Sequence, residues 1–391
     1  MRRIYLDNSA TTKICDEALN KYVDVSREFF GNPSSLHTMG FEAEREINKT
    51  KDAIIASLGA RGSAVVFTSS GSEANNLAII GRALSKDRYK RSGKIITTVG
   101  EHASVSSPTS QLRAMGFSVA EIGTKGGKLD MESLIKEMTP DVILVTMMMV
   151  NNETGALYDV SRVSKIMQMR SREAVLHVDA TQSYMKIPFT KASLGADMIT
   201  LSSHKIEGPK GVGALVIDDK IIKTRGLVPI ILGGGQEGGL RSGTENVPGI
   251  AAFGKAVELG ARNLKERYLK CDGLRSYLIE KLSTVPELSE ISPTLPEKHA
   301  PHIISLSLPG IKSETMLHHL SSLGIYVSSG SACSSNGAHH TSAALTSYGL
   351  SREEADSSIR ISFSHTNEES DVDALIEGLI SGLTKLQRIK K

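Results

Sequence analysis

The chain has 391 residues, 40% hydrophobic and 23% charged, which is ordinary for a soluble globular protein and long enough for two domains. Its 46 basic and 43 acidic residues are spread along the chain and leave a net charge of +3, which argues against a nucleic-acid surface or a membrane-targeting patch. Cys15, Cys271 and Cys333 are too few and too scattered for a disulfide framework or a zinc site, and no apolar run reaches ~18 residues, so a cytoplasmic protein without a membrane span is expected.

Residues 1–14 read as an arm: Met1-Arg2-Arg3 leads directly into the short strand Ile4-Tyr5-Leu6, so no signal peptide is expected, and a small polar run follows over 8–12. Helical spacing over 16–29 is broken by the turn chemistry of Gly31-Asn32-Pro33-Ser34-Ser35, and a long amphipathic helix is expected over 38–58. The strand Ala64-Val65-Val66-Phe67-Thr68 then meets Ser69-Ser70-Gly71-Ser72-Glu73 ahead of a helical run over 74–84. Such a turn offers free N–H groups and a positive helix end to a phosphate, or simply caps the helix.

The next strand, over 94–99, delivers Glu101-His102, and an imidazole at a strand's polar end can act as acid or base near neutral pH or serve as a satisfied structural group. An apolar run over 142–150 contains Met147-Met148-Met149, read as core, and ends in Asn151-Asn152. Ala174-Val175-Leu176-His177-Val178-Asp179 is another buried run, and Met198-Ile199-Thr200-Leu201 is followed by Ser202-Ser203-His204-Lys205, before a further strand over 211–217. Polar residues thus recur at the ends of apolar strands that alternate with helices, which predicts an α/β fold with a mainly parallel sheet.

A lysine at the end of a buried strand sits where open α/β sheets bind ligands, and there it can lose its proton and act as a nucleophile. Taken singly, Asp179 and Lys205 could merely cap strands; together they are what pyridoxal phosphate requires, a carboxylate for the ring nitrogen and an amine for a Schiff base.

Beyond them, Gly233-Gly234-Gly235 lacks a Walker pattern and is read as a flexible loop. A long helical pattern over 250–282, interrupted at Gly260 and Gly273, is taken as the crossing into a smaller domain with strands over 303–308, 325–327 and 359–362 and a last helix over 371–386. Cys333 lies on the small-residue loop Ser328-Ser329-Gly330-Ser331-Ala332-Cys333-Ser334-Ser335-Asn336-Gly337, the setting of a reactive thiol, whereas Cys15 and Cys271 in helical stretches read as inert small hydrophobes.

From Tyr5-Leu6-Asp7-Asn8-Ser9-Ala10-Thr11-Thr12 to Arg360-Ile361-Ser362-Phe363, the order and spacing of these motifs resemble the pyridoxal-phosphate cysteine desulfurases of NifS/IscS type, in the class V aminotransferase, fold type I group. Further matches are Asn151-Asn152-Glu153-Thr154-Gly155, Val178-Asp179-Ala180-Thr181-Gln182, Ser203-His204-Lys205, Arg241-Ser242-Gly243-Thr244 and Ser329-Gly330-Ser331-Ala332-Cys333. The resemblance implies a large cofactor-binding domain over 15–258, with a mainly parallel seven-stranded sheet between helices. It also implies a smaller α+β domain from 1–14 and 259–391 that carries the thiol loop. Pyridoxal phosphate would be held by Gly71, Ser72, Asn152, Asp179, Gln182, Ser202, His204 and Lys205, with His102 stacked on its ring and Thr244 reaching the partner subunit's cofactor phosphate.

In the implied chemistry, Lys205 and His102 move protons, Arg360 and Asn32 bind the carboxylate of L-cysteine, and the Cys333 thiolate takes its sulfur as a persulfide, leaving alanine. The implied partners are a second copy of the chain and sulfur acceptors such as an iron–sulfur scaffold, with no nucleic acid and no membrane. No resident metal is implied, although Cys333 would be a point of contact for a nascent iron–sulfur cluster. The chain departs from the family at Gly238, where relatives usually carry Arg, after Cys333, where Ala338-His339-His340-Thr341-Ser342 replaces a Leu-Glu-Pro-Ser type segment, and at Lys391, beyond which some relatives extend a tail. A selenocysteine lyase or another class V enzyme would share Asp179 and Lys205 without needing Cys333, and a catalytically idle sulfur-transfer scaffold is a reading of another class.

Overall fold

The computed structural model describes residues 2–87, 93–329 and 341–388. Cys333 and the altered segment at Ala338-His339-His340 lie outside the described residues. Strands are numbered here as β1 Ile4–Tyr5, β2 Ser63–Thr68, β3 Lys94–Thr98, β4 Ser118–Ile122, β5 Val142–Met148, β6 Val175–Asp179, β7 Met198–Ser202, β8 Gly213–Asp218, β9 Ser292–Pro293, β10 Ile303–Ser307, β11 Ile325–Tyr326, β12 Ser328–Ser329 and β13 Ser358–Ser362.

The order β2-β8-β7-β6-β5-β3-β4 makes a seven-stranded sheet in which β8 alone runs against the others. Its strands read as unbroken apolar runs because both faces are covered. Along β8, Ala214 and Val216 join one hydrophobic cluster while Leu215 and Ile217 join the cluster on the other face, the period of two that a strand imposes. His177 on β6 is a core histidine, with Nδ1 2.8 Å from Thr146 Oγ1 and Nε2 2.9 Å from Thr200 Oγ1. The parallel strands end on one edge of the sheet, the edge at which such folds bind ligands.

A second, antiparallel sheet has the order β12-β13-β10-β9, and β1 pairs in parallel with β11. A third cluster fills this region, gathering Ile4 and Leu6 of the arm with Ile304, Leu306, Ile359 and Ile361. The segment read as interrupted at Gly260 and Gly273 is instead one helix of 38 residues, Val247–Thr284. Glycine weakens a helix by only about 1 kcal/mol relative to alanine, and Gly260 is required by packing: a Cβ there would meet Met185 Cγ at 2.8 Å. The first half of this helix buries Ile250, Phe253 and Val257 in the large-sheet core, and its second half buries Leu274, Leu278 and Leu282 in the other.

Candidate active site

At the carboxyl ends of the parallel strands lies a cavity of about 330 Å3, lined by His102, Asn152, Asp179, Gln182, Ser202, His204, Lys205 and Arg360 together with Gly71 and Ser72. Each strand delivers its group as the chain leaves the sheet. Asp179 is the last residue of β6 and is buried; its Oδ1 accepts from Thr181 N at 2.9 Å and its Oδ2 from Asn75 Nδ2 at 2.8 Å, which fixes an anionic group in the floor.

After β2 the chain enters the helix Gly71–Asp87. Ser70 caps it, taking Glu73 N on its Oγ at 3.2 Å and Ala74 N on its carbonyl at 3.1 Å, so the N–H groups of Gly71 and Ser72 are the ones helix geometry leaves available. The turn is tight against its neighbours. A Cβ on Gly71 would lie 3.2 Å from Ser202 Cβ, and one on Gly213 would collide with the Ser70 backbone at 2.3 Å, so two glycines let this cradle close over the strand ends.

Lys205 follows β7 on a short 3-10 turn, and its Nζ donates to the carbonyls of Ser9 at 2.6 Å and Ala10 at 2.7 Å. Gln182 donates Nε2 to Ser9 O at 2.9 Å and accepts from Lys186 Nζ at 3.2 Å, an arrangement that orients its amide and leaves its second N–H for the cavity. Burial pulls the Lys186 ammonium down to about 7, with the nearby Lys205 charge adding to the shift. His204 faces Thr11 Oγ1 at 3.1 Å, and burial, reinforced by Lys205, Lys210 and Lys186, lowers it to about 4.

His102 caps the helix Ala103–Ala114, accepting Ser104 N on Nδ1 at 3.1 Å. Burial lowers its pKa, Lys205 and Arg360 act in the same sense, and Asp179 opposes them. Its neighbour Glu101 is buried: the carboxyl group bonds the Thr98 hydroxyl and accepts Met148 N at 2.9 and 3.0 Å, tying the end of β3 to the end of β5. Burial raises this carboxyl to about 8.

The opposite wall comes from the second sheet. Arg360, buried on β13, donates Nη1 to Asn152 O and Nη2 to Asp7 Oδ1, each at 2.9 Å. The ion pair is therefore with the arm, inside the protein. Burial pushes Asp7 up, and Arg360 opposes that shift. Ser328 of β12, opposite Arg360 in register, also lines the cavity.

Four buried polar atoms of the lining, Ser9 Oγ, Asn75 Oδ1, Asn152 Oδ1 and Arg360 Nε, have no hydrogen-bond partner among the described residues. Orphaned groups of this kind cost about 1–3 kcal/mol each, so a polar ligand that satisfies them fits the site. Asn32 and Thr244 are exposed and do not line this cavity. Cys15 immediately precedes the helix Asp16–Glu28 instead of lying within it, and Cys271 is buried in the 38-residue helix with its thiol pushed up to about 12 by burial.

Sequence reasoning passed over Asn75, Ser104, Thr181 and Ser328. For Asn75 a signal existed, because it stands three positions after Ser72 and helical period places it on the same side. Ser328 carried no such signal, since a two-residue strand in a run of serines looks like loop.

The family model for Aminotransferase class-V matches residues 4–375. The chain is 38% identical over 385 residues to "Cysteine desulfurase IscS 1" of Archaeoglobus fulgidus, covering 98% of this chain and 97% of that one. It is 37% identical over 379 residues to "Cysteine desulfurase" of Trichormus azollae, covering 96% and 92%. Among solved structures, a "NIFS-LIKE PROTEIN" superposes with a TM-score of 0.89 at 35% identity, covering 98% of this chain and 100% of the other. A second, "SspA in complex with cysteine", superposes with a TM-score of 0.77 at 29% identity, covering 93% and 99%. With the matched family model spanning nearly the whole chain and the site built at the strand ends as described, the chain belongs to the class-V aminotransferase family.

Proposed function

We propose that this protein is a pyridoxal-phosphate-dependent cysteine desulfurase, converting L-cysteine to L-alanine and passing the sulfur through Cys333 to acceptor proteins such as an iron–sulfur scaffold. The observation that carries this reading is the convergence of Lys205, Asp179, His102 and Arg360 on one cavity of about 330 Å3.

The lining fits the cofactor. The Gly71 and Ser72 end of the helix suits its phosphate, Asp179 its ring nitrogen, the Asn152 side chain and the Gln182 N–H its ring hydroxyl, and Lys205 is the amine to tether it. When bound, the cofactor supplies an electron sink for the pair left on the substrate's α-carbon. Lys205 Nζ, positioned by the Ser9 and Ala10 carbonyls, is the group to take the α-proton. Arg360 Nε, buried without a partner and part of a planar fork, is a donor for the substrate carboxylate. The Cys333 thiolate attacks the substrate sulfur: an S–S bond forms as the C–S bond breaks, and protonation of the carbon fragment completes alanine.

We place residues 15–258 in a cofactor-binding domain and 1–14 with 259–391 in a smaller one, supported by the separate cores that the long helix joins. The active form is a homodimer. In support, exposed Asn32 and Thr244 lie in segments that also expose Phe30, Leu36, Phe41 and Leu232, a surface suited to burial against a second copy, which would bring both residues to the partner's site. A working thiol suits the reducing cytoplasm.

The test is Cys333→Ser. With labelled L-cysteine the unaltered protein should carry label on Cys333, while the variant should keep its cofactor colour change on adding cysteine yet form neither sulfide nor alanine. Alanine release at the normal rate would leave the thiol a bystander and sink the reading.

A further inference from the structure

Asn75, buried in the helix Gly71–Asp87, donates Nδ2 in two directions: to Asp179 Oδ2 and to Ser104 Oγ, both at 2.8 Å. Ser104 Oγ lies in turn 2.8 Å from His102 Nδ1, which also receives the Ser104 backbone N–H at 3.1 Å. The directions of these bonds are constrained. A backbone N–H can only donate, so His102 Nδ1 must accept and carries no proton. Ser104 Oγ, already accepting from Asn75, has its one proton free to point at the same nitrogen. An imidazole fixed in this way keeps its proton on Nε2, the nitrogen left for the cavity that His102 lines.

We propose that Asn75 and Ser104 are positioning residues that lock His102 as the neutral Nε2–H tautomer and tie its orientation to the Asp179 carboxylate. His102 then presents a hydrogen-bond donor to the cavity, and accepting a proton there falls to Lys205. Protonating Nδ1 would break the Ser104 cap, and the charges around the ring divide: Lys205 from the turn after β7 and Arg360 from β13 disfavour the cation, whereas Asp179 from β6 favours it; Glu101, adjacent in sequence, keeps its proton at neutral pH. What the N–H does at the reacting centre rests on the cysteine desulfurase reading; the tautomer lock does not.

The experiment is nitrogen NMR of the holoenzyme labelled on histidine, with His102→Gln used to assign the signal. In the unaltered protein at neutral pH, His102 should show a bare Nδ1 and a protonated Nε2. Asn75→Asp cannot donate to Ser104 and would share a proton with Asp179, so the Ser104 hydroxyl is free to turn from Nδ1 to the new carboxyl group and the Nδ1–H tautomer should become detectable. Ser104→Ala leaves the backbone N–H as the one donor to Nδ1 and so loosens the lock without removing it: a minor Nδ1–H population should become detectable, and Ser104→Thr, which keeps the hydroxyl, should restore the single form. Because Ser104 is only part-buried, this pair keeps the test open if Asn75→Asp fails to fold. A protonated Nδ1 in the unaltered protein, or variants with an unchanged tautomer, would overturn the lock. A locked tautomer in a protein that releases no sulfur from L-cysteine would uphold the lock and count against the desulfurase reading instead.

Discussion

The Asp179 wall of the cavity and the Arg360 wall are assembled differently. Asp179, His102 and Lys205 each stand within a few residues of the end of a parallel strand, so the register of one sheet sets their spacing. Arg360 is held by Asp7, 353 positions away in sequence, and Lys205 is steadied by Ser9 and Ala10 of the same arm. One wall is therefore a property of local strand ends and the other a property of chain closure. Removing a group from the first should stop the chemistry, while altering the second should first weaken recognition of the substrate.

Asp179→Ala is the largest expected effect. Its loss strands Thr181 N and one N–H of Asn75 Nδ2 at a cost of about 1–3 kcal/mol each, and the variant should still fold. Turnover should fall by roughly 10^3-fold or more, each ~1.4 kcal/mol of lost transition-state stabilisation being tenfold in rate. A loss under tenfold, measured by alanine release, would make Asp179 a structural residue and erase the contrast.

Arg360→Lys keeps the charge but loses the fork. Its kcat/KM for L-cysteine should drop about 10- to 100-fold, the worth of one or two charge-assisted hydrogen bonds, with the cofactor absorbance preserved. Bleached cofactor with an unchanged KM would instead assign Arg360 to the cofactor wall.

Much of the first wall was legible because polar residues closing apolar runs are visible one at a time: Asp179 after Val175-Leu176-His177-Val178, Lys205 after β7, His102 after β3. The helix Thr38–Leu58 was legible to the residue, since apolar periodicity and the left-handed Gly59 that stops it both appear in the chain. The second wall was not. Nothing near Asp7 announces that it will meet Arg360, and the bond from Asn75 to Ser104 depends on two helices packing side by side. Gly260 misled for a related reason, because its lack of a side chain serves Met185 across the interface and not the helix that contains it.

The smallest expected effect concerns stability. Glu101 holds its proton up to about 8 in the folded protein, against 4.5 for an ordinary carboxyl, because it is buried. As pH rises from about 5 to 8 the unfolded chain gives up this proton while the folded one keeps it, so folding stability declines across that window. Glu101→Gln retains an oxygen for Met148 N and has no proton to lose. Urea midpoints at pH 5 and pH 8 should lie closer together in the variant than in the unaltered protein. An identical pH slope in both would show that Glu101 is ionised in the folded state.

The arm has a further consequence, for the order in which the molecule is made. Its residues leave the ribosome well before the residues they pair with, Ile4 with Ile325 and Asp7 with Ser362. Contacts between such distant positions form only after the long intervening loop has been closed, whatever else has folded by then. The large sheet and its lysine can therefore be assembled while Ile4 and Asp7 still wait for their partners, with Ser9 and Thr12 already able to meet Gln182 and His204. The Arg360 wall, with Asp7 held against it, can close only once β13 has been made.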